Sequence, residues 1–405
     1  MPEAVIVATA RSPIGRAGKG SLRDMRPDDL AAQMVRAALA KVPNLDPATI
    51  DDLMLGCGQP AGESGFNLAR VVAVLSGLDS VPGTTVNRYC SSSLQTTRMA
   101  LHAIKAGEGD VFVSAGVETV SRYGKGSADG LPDTMNPGFA EGQSRTADFA
   151  VGGRAWVDPR ADGGLPDVYI AMGQTAENVA QHRGVTREEQ DDFAVRSQHF
   201  AQRAIADGFW ARDITPVTLP DGTVVDADDG PRKGVTLDAV AGLKPAFRPD
   251  GTVTAANCCS LNDGAAAVVI MSDTKAKQLG ITPLARIVNT GVTALSPEIM
   301  GLGPVEAANQ ALGRAGITID DIDLVEINEA FAAQVIPSAR ELGIDFDRLN
   351  VNGGAIAVGH PFGMTGARIT STLINSLQFH DKQFGLEAMC VGGGQGMAMV
   401  LERLS

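Results

Sequence analysis

The cysteine at position 90 stands where a short extended segment runs into a helix-like segment that continues to about Ala106. The first backbone N–H groups of a helix have no partner within it, and the positive end of the helix dipole favours a thiolate. A cysteine in this position can therefore act as a nucleophile at neutral pH. Free cysteine is also among the most buried residue types, which leaves a structural role open at this point. The partners of Cys90 must decide between the two interpretations.

The histidine at position 360 lies between two glycine-rich turns in the segment 352–366. The chain has only five histidines, and the other four lie in helix-like or polar contexts where we expect surface roles: His102, His182, His199 and His380. Gly359 permits close approach of the backbone to a ligand, and Pro361 restricts His360 to extended geometry. An imidazole fixed in this way can take the proton of a thiol.

Two further segments carry residues suited to catalysis. The run from Cys390 to Gly396 follows a predicted strand and is rich in glycine. It does not fit a dinucleotide-binding loop, because no strong helix or later acidic residue follows it. Its exposed backbone N–H groups are suited to stabilising an oxyanion. Asn328 follows another predicted strand, and the residues alone favour a helix N-cap there.

The elements that must position these residues occur twice in the same order. The first series consists of a strand at 4–9, a helix at 27–39, a strand at 50–56, the cysteine helix and a strand at 110–115. The second consists of a strand at 284–288, a helix at 303–313, a strand at 320–326, a helix at 366–377 and a strand at 386–391. This pattern predicts an internal duplication of about 120 residues with mostly parallel sheets. The interface between two such halves is an obvious place for an active site.

Residues 121 to about 254, between the two copies, differ in composition. The stretch 124–164 is rich in loops, and the stretch 173–207 is helical and strongly charged. A long insertion of this kind is usually a lid or a binding subdomain. It contains a local group of basic residues, which either binds an anion or is an ordinary solvated surface: Arg232, Lys233, Lys244 and Arg248.

Composition excludes several classes of protein. A chain of 405 residues exceeds the usual size of a single core, so we expect two or three domains. Hydrophobic residues make up 44% and charged residues 20%, with 47 glycines, which fits a soluble α/β protein. A net charge of −13 repels nucleic acid and anionic membranes, and no basic patch with interleaved aromatics overrides it.

The cysteines and the amino-terminal segment bear on the cellular compartment. The five cysteines are odd in number, widely spread and without metal-ligand spacing: Cys57, Cys90, Cys258, Cys259 and Cys390. This argues against a disulfide framework or a zinc site. The apolar run 4–10 is too short to span a bilayer, and the basic run after it is not a cleavage site. We therefore expect reduced thiols, no metal, no membrane association and a cytoplasmic protein.

Four segments together resemble the active-site blocks of the thiolase family. They are Asn87-x-x-Cys90, Asn328-Glu329-Ala330-Phe331, Gly353-Gly354-Ala355-Ile356-Ala357-x-Gly359-His360-Pro361 and Cys390-x-Gly392-Gly393-Gly394-x-Gly396. Their order and spacing fit over essentially the whole chain. The resemblance implies the α/β thiolase fold, five-layered α-β-α-β-α from two duplicated halves, with an inserted loop domain. The boundaries that follow are 1–120 with 255–281 for the first half, 121–254 for the inserted, CoA-binding domain and 282–405 for the second half.

The resemblance also implies a role for each residue of these blocks. Cys90 would take the acyl group as a thioester, with His360 accepting its proton. Cys390 would protonate the leaving enolate, or remove an α-proton in the reverse condensation. Asn328, through a water, and His360 would form one oxyanion hole, and the N–H groups of Cys90 and Gly392 the other. Coenzyme A is a substrate in this chemistry, and no metal or redox cofactor is required.

Further positions resemble the CoA-binding segments of the family, namely Met172, Arg232, Leu243, Phe247, Ala255 and Cys259. The arginine would face adenine or phosphate, and the apolar residues would line the pantetheine tunnel. Cys259 stands where thiolases usually have a serine that meets the pantetheine, and a thiol is a weaker hydrogen-bond partner. Ser93 stands where they commonly have glycine, so we expect different helix packing there.

The resemblance implies thiolytic cleavage of 3-oxoacyl-CoA, as in β-oxidation, or the reverse Claisen condensation. Biosynthetic acetoacetyl-CoA thiolases carry His-Met-Gly where this chain has Ala171-Met172-Gly173, which favours a roomier, degradative type of pocket. The alternatives are a biosynthetic acetoacetyl-CoA thiolase and a non-catalytic acyl-CoA or sterol carrier. A decarboxylating ketoacyl synthase is a further reading, against which Cys390 counts. The family also implies a homodimer or a homotetramer.

Overall fold

The computed structural model describes residues 2–129, 131, 133–152 and 155–405. The described strands are β1 (Ala4–Arg11), β2 (Gly15–Arg16), β3 (Asp52–Gly56), β4 (Gly83–Val86), β5 (Val111–Thr119), β6 (Val217–Thr218), β7 (Val224–Val225), β8 (Asn262–Ser272), β9 (Ala285–Ala294), β10 (Leu324–Ile327), β11 (Phe384–Val391) and β12 (Gln395–Arg403).

The described helices are α1 (Pro27–Ala40), α2 (Leu68–Leu75), α3 (Ser92–Ala106), α4 (Ala140–Ala150), α5 (Met172–Arg183), α6 (Arg187–Ala206), α7 (Phe209–Asp213), α8 (Leu237–Ala241), α9 (Asp273–Leu279), α10 (Gly303–Ala315), α11 (Ala332–Glu341), α12 (Ala355–Val358) and α13 (Thr365–Phe379). Within the described residues, none of these helices is long and apolar enough to cross a bilayer.

Local sequence accounts for the main elements. Helix α1 begins with Pro27 at its first position, where a missing N–H costs nothing, and Asp28 and Asp29 complement the helix dipole. Leu30, Met34 and other apolar residues at helical spacing are buried on one face. Strand β8 is buried along its whole length and is almost continuously apolar, as a strand covered on both faces must be. The helix predicted at 27–39 is thereby confirmed.

Most strands join one large sheet in the order β10-β11-β12-β9-β1-β8-β5-β3-β4, with β2 added on β8. The two halves of this order meet at a short seam, where Val5 pairs with Arg286 and Ile6 with Ala285. Strand β3 is parallel to β4 and β5, and β10 is parallel to β11. The described pairings of β8, β9 and β12 are antiparallel. The sheet is therefore mixed, and the prediction of mostly parallel sheets is wrong, because antiparallel pairings join most of the neighbouring strands.

Helices cover both faces of each half of the sheet. Helices α1 and α2 pack on the outer face of the first half, and α10 and α11 on the outer face of the second. Helices α3 and α13 lie side by side between the two halves, in a central apolar cluster to which both contribute. The order of layers is helix, sheet, helix, sheet, helix. The predicted five-layered thiolase fold is confirmed.

The inserted region contains more helix than its composition suggests. The stretch 124–164, which we expected to be loops, includes α4, although residues 130, 132, 153 and 154 lie outside the described residues. The stretch 173–207 forms two helices, α5 and α6, separated at Gly184, whose φ of +64° ends the first. The domain boundaries at 120, 254 and 281 stay a prediction.

Candidate active site

Cys90 lies in a short turn, Tyr89–Ser91, between β4 and α3. Tyr89 adopts a left-handed φ of +43°, which is unusual for a bulky residue. The side chain of Asn87 accepts a hydrogen bond from the Tyr89 N–H at 2.8 Å and holds this turn. Strained backbone of this kind is frequent at functional sites. Here it places the thiol at the edge of a cavity of about 480 Å³.

The Cys90 thiol is protonated at rest. Burial raises its pKa to about 12, against hydrogen bonds from the backbone N–H groups of Gly392 and of Cys90 itself, which lower it. Burial therefore outweighs the two hydrogen bonds that favour the thiolate. The thiol therefore needs a base. The same two N–H groups surround the sulfur, where an oxyanion next to it would need donors.

His360 is held by a chain of hydrogen bonds. Its Nδ1 lies 2.6 Å from Oγ1 of Thr365, and that hydroxyl donates to the carbonyl oxygen of Pro361 at 2.7 Å. The hydroxyl therefore accepts from the imidazole, which assigns the proton to Nδ1 and leaves Nε2 as the acceptor. The backbone N–H of His360 donates to Oδ1 of Asn262 at 2.9 Å. Both ring and backbone are fixed.

Asn328 and Arg368 complete the surroundings of the imidazole. Nδ2 of Asn328 lies 3.3 Å from Nε2 of His360, and Nη2 of Arg368 donates to Oδ1 of Asn328 at 3.5 Å. The arginine therefore fixes which way the amide points. Burial and, to a smaller extent, the charge of Arg368 together lower the pKa of His360 to about 3. The imidazole is neutral at physiological pH and able to accept a proton.

Asn328 directly follows β10 and does not begin a helix. The next helix, α11, begins at Ala332, with Phe331 as its N-cap. The backbone N–H of Asn328 instead continues the pairing with β11, donating to the carbonyl oxygen of Ala388 at 2.9 Å. The N-cap interpretation is therefore wrong, because the chain crosses the end of the sheet before the helix starts.

Cys390 lies near the end of β11 and is fully buried. Burial raises the pKa of its thiol, and the charge of Cys90 adds to that effect, so the two sulfurs lie close enough to interact. The glycine turn that follows includes Gly393 and Gly394, with φ of +77° and +79°. A side chain at Gly394 would meet the carbonyl oxygen of Leu295 at 2.3 Å. The turn between β11 and β12 therefore requires glycine.

The structure separates the predicted CoA-binding residues into groups. Met172 lines the cavity next to Cys90. Arg232, Leu243 and Ala255 are exposed. Cys259 interacts electrostatically with Cys90 and Cys390, and burial raises the pKa of its thiol. Phe247 packs on the face of Gly173, where a Cβ would lie 2.2 Å from the ring.

The basic group predicted from the sequence is smaller than expected. Arg232, Lys233 and Lys244 are exposed, but Arg248 is buried. Its guanidinium donates to Oε1 of Gln174 at 2.6 Å and to Oδ1 of Asn178 at 2.7 Å. Arg248 therefore ties the segment after α8 to α5, and the exposed residues remain for an anionic ligand.

Sequence reasoning missed Glu118, which lies at the end of β5 and is buried. Its carboxylate accepts hydrogen bonds from the backbone N–H groups of Gly58 and Gly363, both at 2.8 Å, and from the Tyr123 hydroxyl at 3.0 Å. Gly363 follows His360 by three residues, so Glu118 connects the loops of both halves. No local motif marks it, because its partners are distant in sequence.

Ser93 also connects the two halves. Its Oγ accepts a hydrogen bond from the backbone N–H of Ala367 at 2.8 Å. Ala367 lies in the first turn of α13, where backbone N–H groups have no partner within the helix, and the N-cap residue Met364 supplies no side-chain bond. A residue of the nucleophile helix therefore caps the helix that begins with Thr365, the partner of His360.

Comparison with known proteins agrees with this geometry. Residues 4–274 match the family model of the thiolase N-terminal domain, and residues 281–403 match that of the thiolase C-terminal domain. The chain is 43% identical to a 3-ketoacyl-CoA thiolase of Bacillus subtilis over 99% of this chain and all of the relative. It is 44% identical to the 3-oxoadipyl-CoA/3-oxo-5,6-dehydrosuberyl-CoA thiolase of Escherichia coli over the full length of both.

A solved structure extends the comparison to three dimensions. The crystal structure of the acetyl-CoA acetyltransferase of Bacillus anthracis superposes with a TM-score of 0.86 at 38% sequence identity, covering 100% of this chain and 99% of that one. The similarity therefore includes both halves of the molecule and the inserted region.

Proposed function

The chain belongs to the thiolase family, and from that premise we propose that it transfers an acyl group between CoA and acetyl-CoA through a thioester on Cys90. One observation carries the proposal. The Cys90 thiol receives hydrogen bonds from its own N–H and that of Gly392 at the edge of the cavity. Donors in this arrangement stabilise the oxyanion formed when a thiol attacks a carbonyl.

In the first half-reaction, the sulfur of Cys90 attacks the 3-oxo carbon of a 3-oxoacyl-CoA while its proton passes to Nε2 of His360. The bond between C2 and C3 then breaks, leaving the acyl group on sulfur and the enolate of acetyl-CoA. Asn328 and His360 stabilise the enolate oxygen, and Cys390 supplies the proton that converts it to acetyl-CoA.

In the second half-reaction, the Cys390 thiolate takes the proton of a free CoA thiol. The CoA sulfur attacks the thioester carbonyl, the bond from carbon to Cys90 breaks, and the Cys90 thiolate recovers its proton from His360. Both cysteines end in their starting protonation states. The same groups run the reverse condensation, so direction follows from mass action.

We assign the chain to the degradative, 3-ketoacyl-CoA type. Ala171 replaces the histidine of biosynthetic enzymes, and the cavity next to Cys90 reaches beyond Met172 into the inserted region. The Bacillus subtilis relative carries the corresponding name. The second candidate is a biosynthetic acetoacetyl-CoA enzyme, because the similar structure from Bacillus anthracis is named an acetyl-CoA acetyltransferase.

The remaining features of the proposal concern ligands and assembly. CoA binds as a substrate across the inserted domain, 121–254, with Arg232 at the nucleotide end and Leu243, Phe247, Ala255 and Cys259 along the pantetheine. The enzyme needs no resident cofactor. It works as a cytoplasmic homodimer or homotetramer.

A chain-length series tests the proposal. Purified enzyme should cleave acetoacetyl-CoA and longer 3-oxoacyl-CoAs with free CoA, with longer chains preferred. Mass spectrometry after incubation with a 3-oxoacyl-CoA alone should find the acyl group on Cys90. Cys90→Ala should lose at least about 10⁴-fold in turnover, because the covalent intermediate cannot form. Intact turnover by this variant would refute the assignment, and CoA-ester binding without any acyl-enzyme would favour the carrier alternative.

A further inference from the structure

The cavity next to Cys90 is apolar along most of its lining. Val168, Ile170 and Met172 from the inserted region and Phe362 from the second half face it. An acyl chain attached to the Cys90 sulfur has this space in front of it. The cavity therefore contacts the end of the acyl chain that is remote from the reacting carbons.

Among the described residues that line the cavity, one side chain carries a carboxyl group, and it is that of Asp129. Its carboxylate accepts a hydrogen bond from Nε2 of Gln59 at 2.7 Å, and its backbone N–H donates to Oε1 of Gln59 at 2.8 Å. This reciprocal pair fixes the residue at the wall of the cavity. The carboxylate is exposed to solvent, and these two hydrogen bonds set its position at the mouth of the cavity.

The hydroxyl of Tyr89 lies within hydrogen-bond distance of the same carboxylate. Burial raises the pKa of this hydroxyl, and the charge of Asp129 together with a hydrogen bond to it adds to the effect. Tyr89 directly precedes the nucleophile and also lines the cavity. Tyr89 and Asp129 therefore form one part of the cavity wall, next to Cys90.

The residues that the structure describes along the same wall carry no positive charge. None of the described residues that line the cavity is Arg, Lys or His. Two arginines close in sequence to Tyr89 and Asp129 interact with other residues. Arg122 pairs with Glu63, and Arg88 donates to Gln95 and Gln395. A carboxylate at the end of an acyl chain would face Asp129, and the described part of the cavity wall offers it no counter-ion.

We propose that Asp129 excludes 3-oxoacyl-CoAs whose acyl chain ends in a carboxylate, so that this enzyme acts on uncharged chains. The inference rests on the proposed thiolase function. It separates this chain from its Escherichia coli relative, which is named for 3-oxoadipyl-CoA, a substrate with a terminal carboxylate.

Two substrates of equal chain length test the proposal. 3-Oxoadipyl-CoA and 3-oxohexanoyl-CoA both have six-carbon acyl chains, which end in a carboxylate and in a methyl group respectively. We expect the full-length enzyme to favour the methyl-terminated substrate at least about tenfold in kcat/KM at low salt. Asp129→Asn should reduce this ratio at least about fivefold. Asp148→Asn, which removes an exposed charge of α4 in the same inserted region, should leave the ratio unchanged.

Ionic strength gives a measurement that does not depend on a variant. High salt screens a charge that is open to solvent, so the preference of the wild-type enzyme should shrink between about 20 and 500 mM salt. Equal use of both substrates by the wild-type enzyme, or a ratio that Asp129→Asn leaves unchanged, would overturn the inference. Failure to cleave either substrate would refute the thiolase function itself.

Discussion

The two central helices have the same local geometry, but the strands beneath them carry different groups. In α3, the Thr97 hydroxyl donates a hydrogen bond to the carbonyl oxygen four residues earlier at 3.1 Å. It also forms a hydrogen bond with the hydroxyl of Ser114 on β5 at 2.9 Å. In α13, the Thr370 hydroxyl lies 2.9 Å from the carbonyl oxygen four residues earlier, a hydrogen-bond distance. It lies 2.8 Å from the carboxyl of Glu387 on β11. The second half therefore has a buried carboxyl where the first has a neutral hydroxyl.

The neighbouring strands repeat the contrast. Ser114 is the cross-strand partner of Met54, whereas Glu387 is the partner of Glu326. Burial raises the pKa of Glu326 to about 8 and also raises that of Glu387, while the charge of Arg368 opposes both shifts. In the first half the group beneath α3 is neutral, and the buried carboxyl of β5 is Glu118, whose charge adds to the effect of burial in raising the pKa of Cys90. In the second half, burial lowers the pKa of the base His360, and the charge of Arg368 adds to that effect.

The largest expected effect comes from comparing two buried cysteines, one in each half. Cys390→Ala should lower kcat with acetoacetyl-CoA by about 10²–10⁴-fold, because the enolate loses its proton source. Cys57 is also fully buried and follows β3, and burial raises its pKa as well, but its thiol lies in the core of the first half and donates to Oε1 of Glu118 at 3.8 Å. Cys57→Ala should change kcat less than about threefold. Steady-state kinetics of both variants decide the point, and a loss below tenfold for Cys390→Ala would contradict it.

The next effect concerns Arg368 as a positioning residue. Arg368→Met removes the partner of Asn328, and we expect kcat/KM to fall about 10²-fold, similar to losing one oxyanion donor. It also removes a charge that lowers the pKa of His360, so that pKa rises and the acid limb of the pH profile moves to higher pH. Arg368→Lys should restore part of the profile. A drop in rate without any movement of the acid limb would indicate a purely structural role.

Glu326 should make stability depend on pH. Its pKa in the folded protein, about 8, lies above the ordinary value of 4.5, so between these values the folded state binds the extra proton. The free energy of unfolding that this group contributes is therefore lost as pH rises. The wild-type protein should lose about 2 kcal/mol in this way between about pH 5.5 and 7, and Glu326→Gln should abolish that loss. Urea unfolding at several pH values measures it. Met54→Leu, at the matching position of the first half, should change the free energy of unfolding by the same amount at every pH, relative to the wild-type protein.

The smallest expected effect is at Ser93. Ser93→Ala removes the acceptor for the Ala367 N–H and should lower the free energy of unfolding by about 1 kcal/mol, as for other helix caps. Ser144→Ala on the exposed face of α4 serves as the control. Equal midpoints of urea unfolding for the two variants would mean that the bond between α3 and α13 contributes nothing.

The sequence predicted much of the fold because strand and helix patterns are local. The repeated order of elements indicated two halves, and Pro27 marked a helix start that the structure confirms. The roles of Cys90 and His360 came from a resemblance and stay predictions. The helix N-cap at Asn328 was wrong, because a local rule cannot see that the chain crosses the sheet end first.

The connections between the halves were beyond prediction from sequence. Glu118 and Gly363 are 245 positions apart, and Ser93 and Ala367 are 274 apart. Neither pair has a local signature, since the groups meet only when two sheets pack on shared central helices. Thr365 is closer to His360, but its role depends on a hydroxyl orientation that only the folded loop defines.

The pairing of β1 with β8 has a consequence for how the chain folds during synthesis. Ala4 pairs with Ser272, and β8 lies between β1 and β5, so the first sheet stays divided until the whole insertion has left the ribosome. Such long-range pairing slows folding and leaves open strand edges in the meantime. The entropy of closing the intervening loop grows only logarithmically with its length, which allows an insertion of this size. The half that carries the nucleophile thus begins folding first but is completed only as the other half is being made.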